Sequence, residues 1–214
     1  MLLAKYSILI RHLPYLDQAF ETRKATWDKK YRDNKHFRPF FEKTFTEQSA
    51  VISRADLFNI AEVDFKAAAF SIILWGYPRN MRGNSFRTIV ASIADIEKFL
   101  SKPKSLTVGD FLNLSKTLNG KGLGLSTLTK FLYFFNFRVE GYRCLILDSR
   151  IIDVLNANCF DELKIDSEIK DHNKAGRYIE YLKIMDKAAK KYKYTVDQLE
   201  LFLFMFGRNL KPSK

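Results

Sequence analysis

The chain has 214 residues, of which 47% are hydrophobic and 28% charged, a balance typical of a globular protein with one substantial core. Its 36 lysines and arginines exceed its 24 aspartates and glutamates, and the formal charge of +12 favours polyanionic partners. Two cysteines, Cys144 and Cys159, are too few for a zinc or iron–sulfur site, and Lys5 and the short apolar runs argue against a signal peptide or a membrane span. We expect a soluble, intracellular protein without metal or cofactor.

Apolar residues recur at helical spacing along nearly the whole chain, and alternation with period two is scarce, which predicts an all-α fold. Leu2–Tyr15 predicts an amphipathic helix interrupted near Pro14. Glu21–Glu47 mixes cations with aromatic residues, which favours a loop-rich stretch. The further predicted helices are Asp64–Gly76, Ser85–Leu100, Thr107–Leu118, Ser126–Phe135, Ser149–Leu155, Asp171–Tyr192 and a last helix from the capping box Thr195–Gln198 to Gly207.

Three glycines separate two of these helices in the segment Leu118–Lys130, which reads LNGKGLGLSTLTK. Glycine permits a tight turn and lets backbone N–H groups approach a ligand, and the helix that follows points its positive end at the same place. A phosphate is the natural occupant of such a turn. The alternative is a glycine-rich connection between two helices that binds nothing.

After Lys130 the chain continues through a polar loop to Cys144–Leu155, which reads CLILDSRIIDVL. The phrase GLGLSTLTKFLYFF…LILDSRI resembles the helix-hairpin-helix DNA glycosylase superfamily, whose signature is a glycine hairpin, a helix, a loop and an aspartate opening the next helix. It is most similar to the bacterial branch related to 8-oxoguanine DNA glycosylases. The segment Phe70–Ile93, FSIILWGYPRNMRGNSFRTIVASI, resembles the helix, loop and helix that insert a polar wedge into DNA in these enzymes.

The resemblance implies a two-lobed all-α fold with the active site in the cleft between the lobes. The whole chain, 1–214, would form one unit, in which residues 65–155 supply the wedge-bearing and hairpin helices and residues 1–64 and 156–214 complete the lobes. It further implies a monomer in the bacterial cytoplasm, at the nucleoid, that flips a damaged or modified purine out of double-stranded DNA and cleaves its N-glycosidic bond.

The family's catalytic aspartate corresponds to Asp148. At the start of a helix it would stabilise an oxocarbenium-like sugar and activate water or an amine, whereas an ordinary helix N-cap is the alternative. The lysine of bifunctional members usually stands where this chain has Ser126. Lys130 lies one helical turn further on the same face, and side chains lean toward the helix N-terminus, so this lysine remains a candidate nucleophile. If Lys130 only pairs with an acid or a phosphate, the enzyme would be monofunctional and use water.

The resemblance also assigns groups that hold DNA, and each has a structural alternative. The wedge and the opposite-strand contacts would come from a turn that could equally be an ordinary exposed connection between helices. The base pocket would come from aromatic residues that could equally belong to the core. Phe204, which lies between two of the pocket residues in sequence, is a further candidate for the pocket. The assigned residues are Gly120, Lys121, Gly122, Gly124 and Ser126 for the phosphate-binding hairpin, Arg79, Asn80 and Arg82 for the wedge, and Trp75, Phe202 and Phe206 for the pocket.

Two other functional classes compete with the glycosylase. The same hairpin serves as a phosphate clamp in DNA-binding modules that lack catalysis, in which case Asp148 is only a cap. A helical scaffold for protein interactions with a basic surface is the third hypothesis, and it leaves the combination of hairpin and aspartate unexplained. Within the glycosylase hypothesis, an oxidised guanine follows from the resemblance alone, and a modified base in foreign DNA is equally compatible.

Overall fold

The structure, a computed structural model, describes residues 2–31, 34, 37–81, 85–101 and 103–210. These residues form a mostly helical fold with two small sheets, which confirms the predicted helical class in its main part. The helices are α1 (Ser7–Arg11), α2 (Lys24–Tyr31), α3 (Arg38–Thr44), α4 (Arg54–Val63), α5 (Phe65–Gly76), α6 (Ser85–Ala91), α7 (Ile93–Leu100), α8 (Val108–Asn119), α9 (Leu125–Phe134), α10 (Ser149–Asn156), α11 (Lys174–Tyr192) and α12 (Val196–Phe206). The strands are β1 (Ala19–Arg23), β2 (Ser49–Ser53), β3 (Ser105–Leu106), β4 (Arg138–Val139) and β5 (Tyr142–Arg143), and short 3-10 helices lie at Leu3–Tyr6, Tyr15–Asp17, Asp161–Leu163 and Gly207–Asn209.

Polar cap residues fix where several helices begin. The Asp64 carboxylate accepts hydrogen bonds from the Lys66 and Ala67 amides at the start of α5. At α12 the predicted capping box is confirmed, because Thr195 and Gln198 each accept from the other's backbone N–H. These short polar side chains satisfy amides that have no partner inside the helix, so the sequence signals the helix starts directly.

The stretch Glu21–Glu47 is not loop-rich as predicted. It contains the end of β1 and the helices α2 and α3, and β1 pairs antiparallel with β2, from Ala19 opposite Ser53 to Arg23 opposite Ser49. The strands pair across a long separation in sequence, and few of their residues are fully buried, so neither strand shows a clear period of two.

The predicted helix Ser85–Leu100 is two helices, α6 and α7, that break at Ser92. Ser92 has φ −105° and ψ 10°, and its amide is shared between the carbonyls of Thr88 and Ile89. Ile89 and Ile93 are buried on either side of the break. The helical spacing of apolar residues therefore continues across the break between α6 and α7, and the spacing alone does not indicate that the chain changes direction there.

Two helices in the centre of the fold are buried on nearly all sides. Every residue from Ala68 to Trp75 of α5 and from Thr127 to Phe134 of α9 is buried, and the two helices pack against each other. Their meeting brings Gly76, the last residue of α5, against Lys130 of α9. The site described below is built at this junction.

Cys144 and Cys159 are buried free thiols, and burial raises the pKa of Cys144 to about 12. Groups of His, Cys, Asp and Glu side chains arranged to hold a metal ion do not occur among the described residues. None of the helices described combines the length and hydropathy needed to cross a membrane.

Candidate active site

The glycine hairpin connects α8 to α9 and packs on the start of α6. Gly122 has φ +87°, and a Cβ atom there would lie 2.7 Å from the backbone oxygen of Ser85, so only glycine fits. Gly120 has ordinary helical angles at the end of α8, and Gly124 is the N-cap of α9. The hairpin thus requires one of its three glycines for backbone conformation.

The N-terminus of α9 faces a surface groove of about 430 Å³ that also touches the predicted wedge turn. Its lining includes Gly122, Gly124, Ser126, Asn80 and Lys174. Gly124 has no side chain to cap the first turn of α9, whose amides lack partners inside the helix. Lys121, which is predicted to contact phosphate, forms an ion pair in which its Nζ atom lies 2.6 Å from the Asp95 carboxylate.

The predicted wedge turn follows α5. Arg79 and Asn80 are exposed, and Asn80 has φ 108°, a conformation that asparagine tolerates better than most residues. Lys30 holds this turn through Asn80 Oδ1 and the Met81 carbonyl, and burial lowers the pKa of Lys30. Arg82 lies outside the described residues.

A network of hydroxyl groups fixes the extended segment that leads to Asp148. Tyr178 Oη accepts from the Leu145 N–H and donates to the Leu145 carbonyl, and Tyr181 Oη donates to the Ile146 carbonyl. Thr129 Oγ1 on α9 accepts from the Leu147 N–H at 3.1 Å. These bonds tie the segment to α11 and α9, so Asp148 starts from a rigid backbone.

Asp148 is the N-cap of α10. Its Oδ1 atom accepts from the amides of Arg150 at 3.0 Å and Ile151 at 3.1 Å. Its Oδ2 atom has no hydrogen-bond partner among the described residues, and the side chain is half-buried. The predicted cap is therefore confirmed, and one carboxylate oxygen remains available for a second role.

Lys130 is 5% exposed and returns its amine one turn toward the N-terminus of α9. The Nζ atom donates to Ser126 Oγ at 2.9 Å and to the Ser126 carbonyl at 3.1 Å. It also lies 5.5 Å from the ring centroid of Tyr77, whose hydroxyl contacts Thr127 Oγ1 at 2.5 Å. The amine of Lys130 thus lies beside the Ser126 side chain, one helical turn before the backbone of Lys130.

Lys130 and Asp148 line the same cavity, whose volume is about 170 Å³. Arg150 also lines it, and its guanidinium lies 4.7 Å from the ring centroid of Phe204. A cation, a carboxylate and aromatic surfaces therefore meet in a concave site of the kind that binds small ligands. The lining residues are Phe20, Arg54, Trp75, Gly76, Pro78, Lys130, Ile146, Asp148, Arg150, Glu200 and Phe204.

A family model described as "putative 8-oxoguanine DNA glycosylase OGG-like protein" matches residues 14–204. The chain belongs to this family. No curated protein and no solved structure matches the chain.

This OGG-like chain also buries an ion pair on the cavity wall that the sequence analysis missed. Arg54 and Glu200 are both 0% exposed, and Arg54 Nη1 lies 2.6 Å from Glu200 Oε2 and 2.9 Å from Tyr133 Oη. Burial raises the pKa of Glu200, and the Arg54 charge opposes that shift. Burial by itself would lower the pKa of Arg54, but the charges of Glu200 and Tyr133 and the hydrogen bonds to both together outweigh burial, and the pKa is raised.

Of the three residues predicted for the base pocket, only Trp75 lines this cavity. Phe202 is fully buried against Tyr6 and Phe160, and Phe206 packs on Phe202, so neither lines the cavity of this family member. Phe204 lines it instead, because α12 turns alternate aromatic residues to different sides. Trp75 does line the cavity, although its ring is buried.

The sequence did carry a signal for the missed ion pair. Glu200 interrupts the apolar run Leu199–Phe206, and a charged residue within a buried helix requires a partner. The partner is Arg54, which lies 146 positions earlier at the start of α4, and nothing in the local sequence connects the two. The sequence therefore indicates that Glu200 needs a partner, but it does not identify Arg54 as that partner.

Proposed function

We propose that the protein is a DNA glycosylase that excises an 8-oxoguanine-like purine from double-stranded DNA. The observation that carries the proposal is the shared cavity of Lys130 and Asp148, with the glycine hairpin beside it. Membership of the OGG-like family supports the same activity. In this proposal the whole chain forms one two-lobed helix-hairpin-helix unit, acting as a monomer, with the cavity in the cleft between lobes.

Duplex DNA would bind across the hairpin and the wedge turn. A backbone phosphate accepts hydrogen bonds from the free amides at the start of α9, where the helix dipole favours an anion. Asn80, between Arg79 and Arg82, fills the space that the extruded nucleotide leaves in the stack. This arrangement is supported by the groove beside the hairpin, because Asn80 and Gly124 both line it.

The extruded nucleotide would present its sugar to Lys130. The Nζ lone pair attacks C1′, the C1′–N9 bond breaks, and its electron pair leaves with the base, which is then protonated. One Nζ proton passes to the departing base and the other to O4′ as the sugar ring opens, which gives a Schiff base between Nζ and C1′. Loss of a C2′ proton then forms a C2′–C3′ double bond, and the 3′ phosphate departs with the C3′–O electron pair. The near-complete burial of Lys130 and its bonds to Ser126 hold the amine in one orientation.

Asp148 would stabilise the positive charge that develops on the sugar. Two amides of α10 already bond its Oδ1 atom, so the carboxylate cannot rotate freely, and Oδ2 has no hydrogen-bond partner among the described groups. Electrostatic stabilisation of this kind contributes roughly 10²- to 10³-fold per group in other enzymes. The same carboxylate would activate water if the lysine does not attack.

The test incubates the protein with a duplex that carries 8-oxoguanine, adds borohydride, and measures both released base and trapped covalent adduct. We expect an adduct with the wild-type protein, none with Lys130→Ala, and loss of base release by at least roughly 10²-fold with Asp148→Asn. Lys190→Ala is the matched control, because this exposed lysine of α11 pairs with Asp186 away from the cavity.

The outcomes separate the alternatives. Base release without an adduct indicates a monofunctional enzyme that uses water. An adduct that persists in Lys130→Ala overturns the assignment of the nucleophile. Intact duplex binding with no base released from 8-oxoguanine or any other lesion favours the non-catalytic DNA-binding module, for which Asp148 is only a helix cap.

A further inference from the structure

The cavity that holds Lys130 and Asp148 contains buried polar atoms without partners. Among the described residues, Arg54 Nη2, Trp75 Nε1 and Glu200 Oε1 are inaccessible to solvent and make no hydrogen bond. All three side chains line the cavity. A buried polar group without a partner is unfavourable, so three such side chains in one cavity indicate a polar ligand.

The Arg54–Glu200 ion pair does not satisfy all the hydrogen-bonding groups of its two side chains. Glu200 Oε2 lies 2.6 Å from Arg54 Nη1, yet neither oxygen of Glu200 accepts a well-directed hydrogen bond. Arg54 Nε donates a hydrogen bond to Gln18 Oε1 at 2.5 Å, and Arg54 Nη1 donates one to Tyr133 Oη at 2.9 Å. The guanidinium is thus anchored on one side, and its Nη2 donor remains free.

The unpartnered atoms form a specific chemical pattern. Arg54 and Trp75 each offer an N–H donor, and the Glu200 carboxylate, beside the Arg54 guanidinium, offers an acceptor. The major-groove edge of 8-oxoguanine carries acceptors at O6 and O8 on either side of a donor at N7–H. Guanine has a bare N7 acceptor at the central position, which would face the carboxylate unfavourably.

We propose that Arg54, Glu200 and Trp75 read this edge of the extruded base, with Glu200 accepting from N7–H and the two donors bonding the flanking oxygens. The inference rests on the proposed function, because it concerns the base that the glycosylase excises. It makes Glu200 the residue that separates 8-oxoguanine from guanine. A site built to bond a substrate N–H rejects an analogue that lacks it far more strongly than an apolar pocket does.

The test measures single-turnover base release from duplexes that carry 8-oxoguanine, 7-methyl-8-oxoguanine or guanine at one position. The 7-methyl analogue keeps O6, O8 and the pairing edge and replaces the N7–H donor with a methyl group. We expect the wild-type protein to release it at least roughly tenfold more slowly than 8-oxoguanine, and to release no guanine.

Glu200→Gln tests the residue itself. The amide oxygen of the new side chain would turn toward the Arg54 guanidinium, which leaves an N–H donor toward the base, so the penalty for the 7-methyl group falls to within about twofold. Asp197→Asn is the matched control, because Asp197 is buried on the same helix and pairs with Arg143 at 3.1 Å without lining the cavity. We expect it to keep the wild-type penalty.

Equal release of 8-oxoguanine and its 7-methyl analogue by the wild-type protein overturns this inference and leaves the glycosylase in place. A folded Glu200→Gln protein that keeps the penalty overturns it as well. No release from any duplex overturns both proposals. If circular dichroism finds Glu200→Gln unfolded, the wild-type comparison of the two analogues decides.

Discussion

Lys130 has its position because residue 76 lacks a side chain. A Cβ atom at Gly76 would lie 2.9 Å from Lys130 Cδ and 3.1 Å from Cε, closer than such carbon atoms approach each other. The stem of the lysine therefore runs over the end of α5, and its amine reaches Ser126. A glycine far from the lysine in sequence shapes the candidate nucleophile.

Gly76→Ala should impair the chemistry with little effect on the fold. The added methyl group displaces the flexible lysine stem rather than a backbone atom, and misplacement of a reacting group by about 1 Å costs up to roughly 10²-fold in rate. We expect the rate of borohydride-trapped adduct formation to fall about ten- to hundredfold while the unfolding midpoint in urea changes little.

Gly109→Ala is the control for this substitution. Gly109 lies in the first turn of α8, where the nearest atom to an added Cβ is Thr107 Oγ1 at 3.7 Å. Unchanged trapping in Gly109→Ala together with a slower rate in Gly76→Ala supports the role of the lysine stem. Equal rates in both variants and the wild-type protein would contradict the role of Gly76 in positioning the Lys130 stem.

At the scale of elements, the hairpin depends on one backbone conformation and one close contact. Gly122 combines φ +87° with the approach of the Ser85 carbonyl, which fixes the hairpin on α6. Gly120 and Gly124 have neither constraint, since their φ angles are −62° and −58°. The sequence motif contains three glycines that look equivalent, and the structure requires them unequally.

Gly122→Ala should both destabilise the protein and weaken its binding to DNA. Gly141→Ala is the matched control, because Gly141 has φ +78° but no atom within 4 Å of an added Cβ. We expect Gly141→Ala to cost about 1 kcal/mol of unfolding free energy from the backbone alone. Gly122→Ala should cost more than this in urea unfolding and lower the affinity for duplex DNA, which fluorescence anisotropy measures.

The difference between the two variants isolates the contact with Ser85. If both lose the same stability and both bind DNA like the wild-type protein, the hairpin is a structural turn only. That result would favour the alternative stated for the motif, a connection between helices that binds nothing.

At the scale of the whole molecule, the formal charge of +12 should govern binding to undamaged DNA. Each phosphate neutralised by a lysine or arginine contributes a slope of about −0.9 to the dependence of log affinity on log salt concentration. We expect the affinity for an undamaged duplex to fall at least roughly a hundredfold between about 50 and 200 mM salt. Titrations at several salt concentrations measure the slope, and the unfolding midpoint at each concentration is the control. An affinity that does not change with salt would contradict phosphate binding by the basic surface.

The sequence by itself determined the helical class and the cap residues that begin α10 and α12, and it singled out Lys130 and Asp148 as candidates. These features are local, since a cap and its helix, or a lysine and the serine one turn earlier, lie within a few positions of each other. The hairpin glycines were visible for the same reason. Features formed by residues close together in the chain can therefore be predicted from the sequence.

Only the tertiary structure decided which side chains share the cavity. Arg54 comes from α4, Trp75 from α5 and Glu200 from α12, and packing alone brings them together. The pairing of β1 with β2, the break at Ser92 and the orientation of Phe202 away from the cavity follow from long-range contacts in the same way. Buried polar groups choose partners by proximity in space, and no periodicity in the chain specifies that proximity.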